Sequence, residues 1–180
     1  GIAALFDDGT VVAAGDAEDG GDSSAVASKL TNVVEIFSTE QAFAALRGDG
    51  SVVTWGDDSE ADSSSVASEL SGGVVTIATT DSAFAALKDD GSVVTWGMSG
   101  GDSSSEASDL QSGVVSIVGG DYSFAALKED GSIVAWGHNT YGGSKEPTSG
   151  TFFSVSALSL AFAALRDDGS VVAWGEDTSG

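Results

Sequence analysis

One histidine, two runs of carboxylates and a set of four tryptophans are the residues of this 180-residue chain whose types and spacing could do chemistry. His138 is the only histidine. Any Ser-His-Asp arrangement would have to be built on it, because an imidazole is the usual proton acceptor for a hydroxyl nucleophile. The runs Asp16-Ala17-Glu18-Asp19-Gly20-Gly21-Asp22 and Asp57-Asp58-Ser59-Glu60-Ala61-Asp62 are rich in oxygen donors, the ligand type that Ca²⁺ takes. Trp55, Trp96, Trp136 and Trp174 recur at one position and would make a ladder for stacking ligands.

Each of these has a plainer reading, and the plainer one is favoured. His138 follows Trp136-Gly137 where other units carry Asp57, Met98 and Glu176, so it reads as a solvent-facing loop residue. Neither acidic run has the alternating Asp-x-Asp-x-Asp-Gly spacing that places ligands around one ion, and the third copy, Gly97-Met98-Ser99-Gly100-Gly101-Asp102, has lost most of the carboxylates. Both runs read as solvated loops that cap short helical turns. Regular tryptophans at strand ends read as core. The expectation is therefore a protein that is not an enzyme, with no catalytic, cofactor-binding or metal-binding residue and no cofactor.

Composition narrows the partners. Asp and Glu number 28 against 6 Lys and Arg, a formal charge of −22. A nucleic-acid binder needs a basic footprint for phosphate, so nucleic acid is excluded as a partner, and anionic lipid is disfavoured. The longest apolar run, Leu160 to Leu165, is far short of the roughly 20 residues of a spanning helix, so no membrane insertion is expected. There is no Cys, which removes disulfides, thiol nucleophiles and thiolate metal sites. The start, Gly1-Ile2-Ala3-Ala4-Leu5, has no initiator Met and no basic segment, so the chain reads as processed or excised. The acidic, Lys-poor composition favours an extracellular or organelle-lumen setting.

The elements that must position these residues are repeats. Phe43-Ala44-Ala45-Leu46 returns as Phe84–Leu87, Phe124–Leu127 and Phe162–Leu165, with Ile2-Ala3-Ala4-Leu5 as a first copy. An Asp-Gly pair follows each, and its glycines (Gly9, Gly50, Gly91, Gly131, Gly169) lie 41, 41, 40 and 38 residues apart. A Val-Val-Thr-Trp-Gly segment or near copy comes next. Such a period means a solenoid, a propeller or an array. Two short apolar runs around Asp-Gly make a β-hairpin, since Gly takes φ > 0 at little cost. Further apolar runs at Val33–Phe37, Val74–Ala78, Val114–Val118 and Phe152–Leu158 supply one more strand to each later hairpin. Alternation sends Phe43 and Ala45 one way and Ala44 and Leu46 the other, so both faces of the sheet are apolar, as stacked blades require. The polar links Asp22–Leu30, Asp62–Leu70 and Asp102–Leu110 predict one or two capped helical turns. The fourth link, Gly142-Gly143-Ser144-Lys145-Glu146-Pro147, departs from them. The predicted architecture is all-β: one repeat domain over 1–180, units of about 1–41, 42–82, 83–122, 123–160 and 161–180, as a partial or small ring.

The order of apolar strand, turn, Phe-Ala-Ala-Leu, Asp-Gly and Val-Val-x-Trp-Gly resembles the RCC1-like repeat, on Val114, Ile117, Gly120, Phe124, Ala126, Leu127, Asp130, Gly131, Val134, Trp136 and Gly137. The resemblance covers nearly the whole chain and implies a β-propeller, commonly seven-bladed. Members of the family include a chromatin-bound nucleotide exchange factor and a bacterial β-lactamase inhibitor, and the short period is closer to the latter's three-stranded blades. The family's usual histidine is replaced in the neighbourhood of Ser82, Tyr122 and Leu160, and a basic surface is missing. The doubled Ala and Val-Val wording resembles repeat proteins of marine algae, dinoflagellates especially.

The functional expectation is a non-catalytic repeat scaffold mediating protein–protein interaction, as a peripheral subunit of a larger assembly. Its partner is another protein or flanking repeats of the same chain, met at 1–15 or 160–175, where a blade stack that stops leaves a sheet face uncovered. The alternatives are a Ca-dependent or carbohydrate-binding lectin-like module and a plastid-lumen accessory subunit of a photosynthetic complex.

Overall fold

The computed structural model describes residues 1–98 and 100–176. It is built from one antiparallel hairpin and four three-stranded antiparallel sheets. The hairpin is β1 (Ile2–Leu5) with β2 (Val11–Ala14). The sheets are β3 (Val33–Ser38), β4 (Ala42–Arg47) and β5 (Val52–Gly56); β6 (Val74–Thr79), β7 (Ala83–Lys88) and β8 (Val93–Gly97); β9 (Val114–Gly119), β10 (Ser123–Lys128) and β11 (Ile133–Gly137); and β12 (Phe152–Leu158), β13 (Ala161–Arg166) and β14 (Val171–Gly175). In each the middle strand is second in sequence. The first strands β3, β6, β9 and β12 contact one another in turn, which puts them on the inner side of an arc.

The turns form where Asp-Gly predicts them. Gly50, Gly91, Gly131 and Gly169 have φ of 76°, 77°, 79° and 83°. The left-handed backbone does more than reverse the chain. The Gly9, Gly50, Gly91 and Gly131 carbonyls accept hydrogen bonds from Val33, Val74, Val114 and Phe152, the leading residues of the next sheet, at 2.9–3.0 Å. At the far end of the inner strands the Glu40, Asp81 and Asp121 amides donate to the Asp81, Asp121 and Ser159 carbonyls at 2.8, 2.9 and 2.7 Å. Neighbouring sheets are thus joined backbone to backbone at both ends.

Packing between sheets follows the alternation. Phe84, Ala86, Val94 and Trp96 of one sheet meet Ala42, Ala44 and Leu46 of the sheet before it. Phe124, Ala126, Val134 and Trp136 meet Ala83, Ala85 and Leu87 in the same way. The third interface repeats this, with Phe162 and Trp174 against Ala125 and Leu127. Within each sheet the Phe and Trp are cross-strand partners and stack at 5.2, 5.0, 5.2 and 5.4 Å. The four phenylalanines and four tryptophans are all buried, so the ladder is core. In the first hairpin the pair is Ile2 opposite Ala14, without an aromatic ring.

The arc is open. Ile2 is 73% and Val12 56% exposed, whereas Phe84 and Val94 at the same positions are 0% and 9%. At the other end Val171 is 65% exposed. The links are 3-10 turns, at Ser24–Lys29, Ser64–Val66 and Ser104–Glu106. Each begins two residues after an aspartate, and the Asp22, Asp62 and Asp102 carboxylates accept from the Ser24, Ser64 and Ser104 amides at 2.8–3.0 Å. The α-helical turn α1 (Asp58–Ala61) is capped by Asp57, which accepts from the Ser59 amide at 2.9 Å.

Two substitution sets test this packing by thermal unfolding. Phe84→Ala removes the centre of one interface and should cost about 3–5 kcal/mol. Gly91→Ala and Gly169→Ala both force alanine into positive φ, which costs about 1–2 kcal/mol. Only at Gly91 would the added Cβ also meet the next sheet, 2.8 Å from the Gly113 amide; at Gly169 nothing lies within 4 Å. Gly91→Ala should therefore lower the melting temperature more than Gly169→Ala.

Candidate functional site

The two ends of the sheets differ in how uniform they are. At the Asp-Gly end the same chemistry is repeated. Asp8, Asp49, Asp90, Asp130 and Asp168 each accept from the amide two residues on, at 2.8–3.1 Å. The first four also accept from that residue's hydroxyl at 2.6 Å. These carboxyls sit below their ordinary range, because the hydroxyl and amide of Thr10, Ser51, Ser92, Ser132 and Ser170 stabilise the charge. A surface that repeats without change is explained by the turn it builds.

The opposite end varies. Equivalent turn positions carry Glu40, Asp81, Asp121 and Ser159, then Gln41, Ser82, Tyr122 and Leu160. After the third strand come Asp57, Met98, His138 and Glu176. Four sheets contribute to a shallow depression of about 470 Å³ whose charged members are Glu40, Asp81 and Asp121. Burial raises the Asp81 carboxyl, and the charges of Asp121 and Glu40 raise it further, while the Tyr122 hydroxyl pulls it back. Beside this floor Glu60 is only 3% exposed. It accepts from the Thr39 hydroxyl at 2.6 Å and the Gln41 amide at 3.2 Å, so it holds the turn between β3 and β4 in place. This varied face is the candidate binding surface.

The structure separates the other sequence candidates. In the first acidic run Asp16 accepts from the Glu18 amide at 3.0 Å, an internal turn bond. In the second, Asp57 caps α1 and Glu60 turns inward. Among the described residues no group of three His, Asp or Glu is gathered as a metal site. His138 is exposed and stacks on Tyr141 at 4.5 Å. Gly97-Met98-Ser99-Gly100-Gly101 has the spacing Gly-x-Ser-x-Gly. A nucleophile elbow joins a strand directly to a helix; here Gly97 closes an antiparallel hairpin strand, and Ser99 lies outside the described residues.

Sequence reasoning passed over the basic residues. Arg47, Lys88, Lys128 and Arg166 follow the four Phe-Ala-Ala-Leu copies directly, and that periodicity was the available signal. Their side chains donate to the carbonyls of Thr31, Glu69, Asp109 and Ser149 at 3.0, 2.6, 2.6 and 3.4 Å, in the segment leading into each sheet. Most of the chain's few cations are thus engaged with backbone, and Arg47 also pairs with the Asp49 carboxylate at 3.3 Å. Glu60 corrects the reading of its run as a solvated loop, because it is buried and bonded inward, and the meeting of Tyr122 with Tyr141 at 5.4 Å was unread.

Radially stacked antiparallel sheets with their first strands innermost define a β-propeller arc. The model of the Regulator of chromosome condensation (RCC1) repeat matches residues 114–142, which hold the sheet of β9, β10 and β11 and the start of the link after it. The ectodomain of the receptor kinase CR4 from Physcomitrella patens superposes with a TM-score of 0.56 at 17% identity, covering 79% of this chain and 41% of that one. Yeast RCC1 (Prp20) bound to Kap60 gives 0.55 at 19%, covering 80% and 44%. Prp20p from Saccharomyces cerevisiae, described with its binding to Gsp1p and histones, gives 0.55 at 19%, covering 80% and 45%. The chain thus spans under half the length of these structures, and the likeness is one of fold. No curated protein matches the sequence. One unit of the chain thus matches an RCC1 repeat, and the arc as a whole shares its fold with these propellers.

The electrostatics make a prediction with two signs. Asp8, Asp49, Asp90, Asp130 and Asp168 are lowered in the folded state, so their contribution is present above the unfolded value of about 3.9 and is lost as pH falls through their folded values. Asp81 and Glu106 are raised, chiefly by burial, so their ionised forms oppose folding at neutral pH, and this is relieved as acid protonates them. Melting temperature at low ionic strength should hold or rise from neutrality toward about pH 5, then fall steeply below about pH 4. At pH 7 it should rise with added NaCl, because screening weakens the self-repulsion of a net charge of −22.

Proposed function

We propose that the chain is a non-catalytic scaffold that mediates protein–protein interaction as a peripheral subunit of a larger assembly. The observation that carries this reading is the pair of bare end faces. Ile2, Val12 and Val171 lie on sheet faces of the kind that every internal interface buries, and here they are open. Soluble chains bury such faces, so another protein or further repeats of the same chain cover them in the working assembly. Residues 1–180 act in it as one repeat domain, since each sheet shares its core with the next.

The varied acidic face supports a partner that is basic where it meets this chain, with charge steering the encounter. Yeast RCC1 is a fold neighbour seen with a protein, Kap60, bound to it. Among the described residues of this surface no nucleophile is gathered with a base, and the one histidine stacks on a tyrosine instead. The lectin-like and plastid-lumen alternatives have no observation of their own in their favour.

Affinity capture of the tagged native-length chain from its source, beside an Ile2→Asp/Val12→Asp double variant, tests the proposal. Companion proteins recovered with the unaltered chain should be lost or depleted with the variant, while its melting temperature is kept. Equal recovery by both, or a monodisperse unaltered chain with no companion, would refute the end-face contact.

A further inference from the structure

The chain has two tyrosines and one histidine in 180 residues, and all three meet at one place. Tyr122 and Tyr141 approach to 5.4 Å between ring centres at a 39° tilt. His138 stacks on the other neighbour, with its ring 4.5 Å from Tyr141. The residues come from two different segments. Tyr122 sits in the turn between β9 and β10, and His138 and Tyr141 follow β11; the antiparallel register brings both to the same sheet end. The Tyr141 carbonyl accepts from the Ser123 hydroxyl at 2.6 Å, which ties the second segment to the first. No other sheet has aromatic rings at these positions, where Gln41 and Ser82, and Asp57 and Met98, stand.

The cluster is neither core nor free of charge. Tyr122 is 36% exposed, and His138 is exposed. The carboxylates of Asp81, Asp121 and Glu40 all act on the Tyr122 hydroxyl, Asp81 most strongly, and hold it in its protonated, donating form. An aromatic face beside carboxylates suits a delocalised cation. A guanidinium can lie flat on a tyrosine ring and still reach a carboxylate with its N–H groups. The acidic position recurs at Glu40 and Asp81 in sheets that carry no ring at these positions, so the rings are what set this sheet apart, and the acidic floor alone would attract any cation without preference.

We propose that Tyr122, Tyr141 and His138, with Asp81 and Asp121, form a seat for an arginine side chain of the partner protein. This rests on the protein-interaction reading above and adds to it the chemistry of the contact. It concerns the varied face, not the bare end faces, so the two fail independently.

The chain labelled with ¹³C in Tyr and His rings shows three ring systems, which makes the test direct. Nα-acetyl-arginine amide is titrated against sodium chloride at matched ionic strength, with N-acetylglucosamine as a further probe. The Tyr122 and His138 ring signals should move saturably with the arginine amide and stay put with sodium chloride. A Gly-Arg repeat peptide should bind about three- to thirtyfold more weakly to Tyr122→Leu than to the unaltered chain, and near normally to Tyr122→Phe, which keeps the ring. Equal response to sodium chloride would reduce the site to a plain acidic surface and overturn the proposal. So would a response to the sugar with none to arginine, which would make the rings a carbohydrate platform. Loss of binding in Tyr122→Phe equal to that in Tyr122→Leu would show that the hydroxyl, and not the ring, is what matters. If the end-face variant keeps every companion while the arginine titration succeeds, the seat stands and the scaffold contact falls.

Discussion

Everything in this chain depends on one contact: a stacked Phe–Trp pair of one sheet pressed against the alanines of the sheet before it. Alanine at 42, 44, 83 and 85 lets the backbones come close, and the paired rings fill the space that opens as the sheets diverge. Both halves are needed. Larger residues in place of the alanines would hold the sheets apart, and smaller ones in place of the rings would leave a cavity. Because the rings come from facing positions on adjacent strands, one sheet presents both fillers at once. The other features – turn glycines, link turns, basic residues – serve to bring this contact to the same geometry each time.

Much of that was legible in the sequence because it repeats. The hairpins, the two apolar faces, the burial of Phe43, Phe84, Phe124 and Phe162, and the turn glycines follow from spacing and alternation, which are local. The reading of tryptophans as core holds for the same reason. The candidate surface was less legible. Glu60 sits in a run that reads as a solvated loop, and only the approach of Thr39 and the Gln41 amide, some twenty residues earlier in the chain, explains an inward carboxylate. His138 reads as a loop residue, and it is one. What the sequence hides is that Tyr122 and Tyr141, nineteen residues apart, come to the same sheet end beside it.

The contrast between the two sheet ends separates structure from recognition. At one end, five aspartates do one job with the residue two on, accepting from its amide every time and from its hydroxyl in four of the five. At the other, each sheet carries different side chains on turns closed by the same backbone bond, from Thr39, Thr80 and Gly120 to Ala42, Ala83 and Ser123. Four of the basic residues are tied to backbone carbonyls, which leaves the varied face to its carboxylates and its one aromatic group.

The carbonyls of Gly9, Gly50, Gly91 and Gly131 bond the leading amide of the next sheet, and this has a consequence for how such a chain changes in evolution. Main-chain atoms thus help to hold successive sheets together, and a side-chain change outside the turn glycines and the inter-sheet core leaves those bonds in place. Duplication or loss of a whole unit therefore extends or trims the arc by a constant step. Side chains on the varied face drift freely meanwhile, each on a frame whose curvature they do not set.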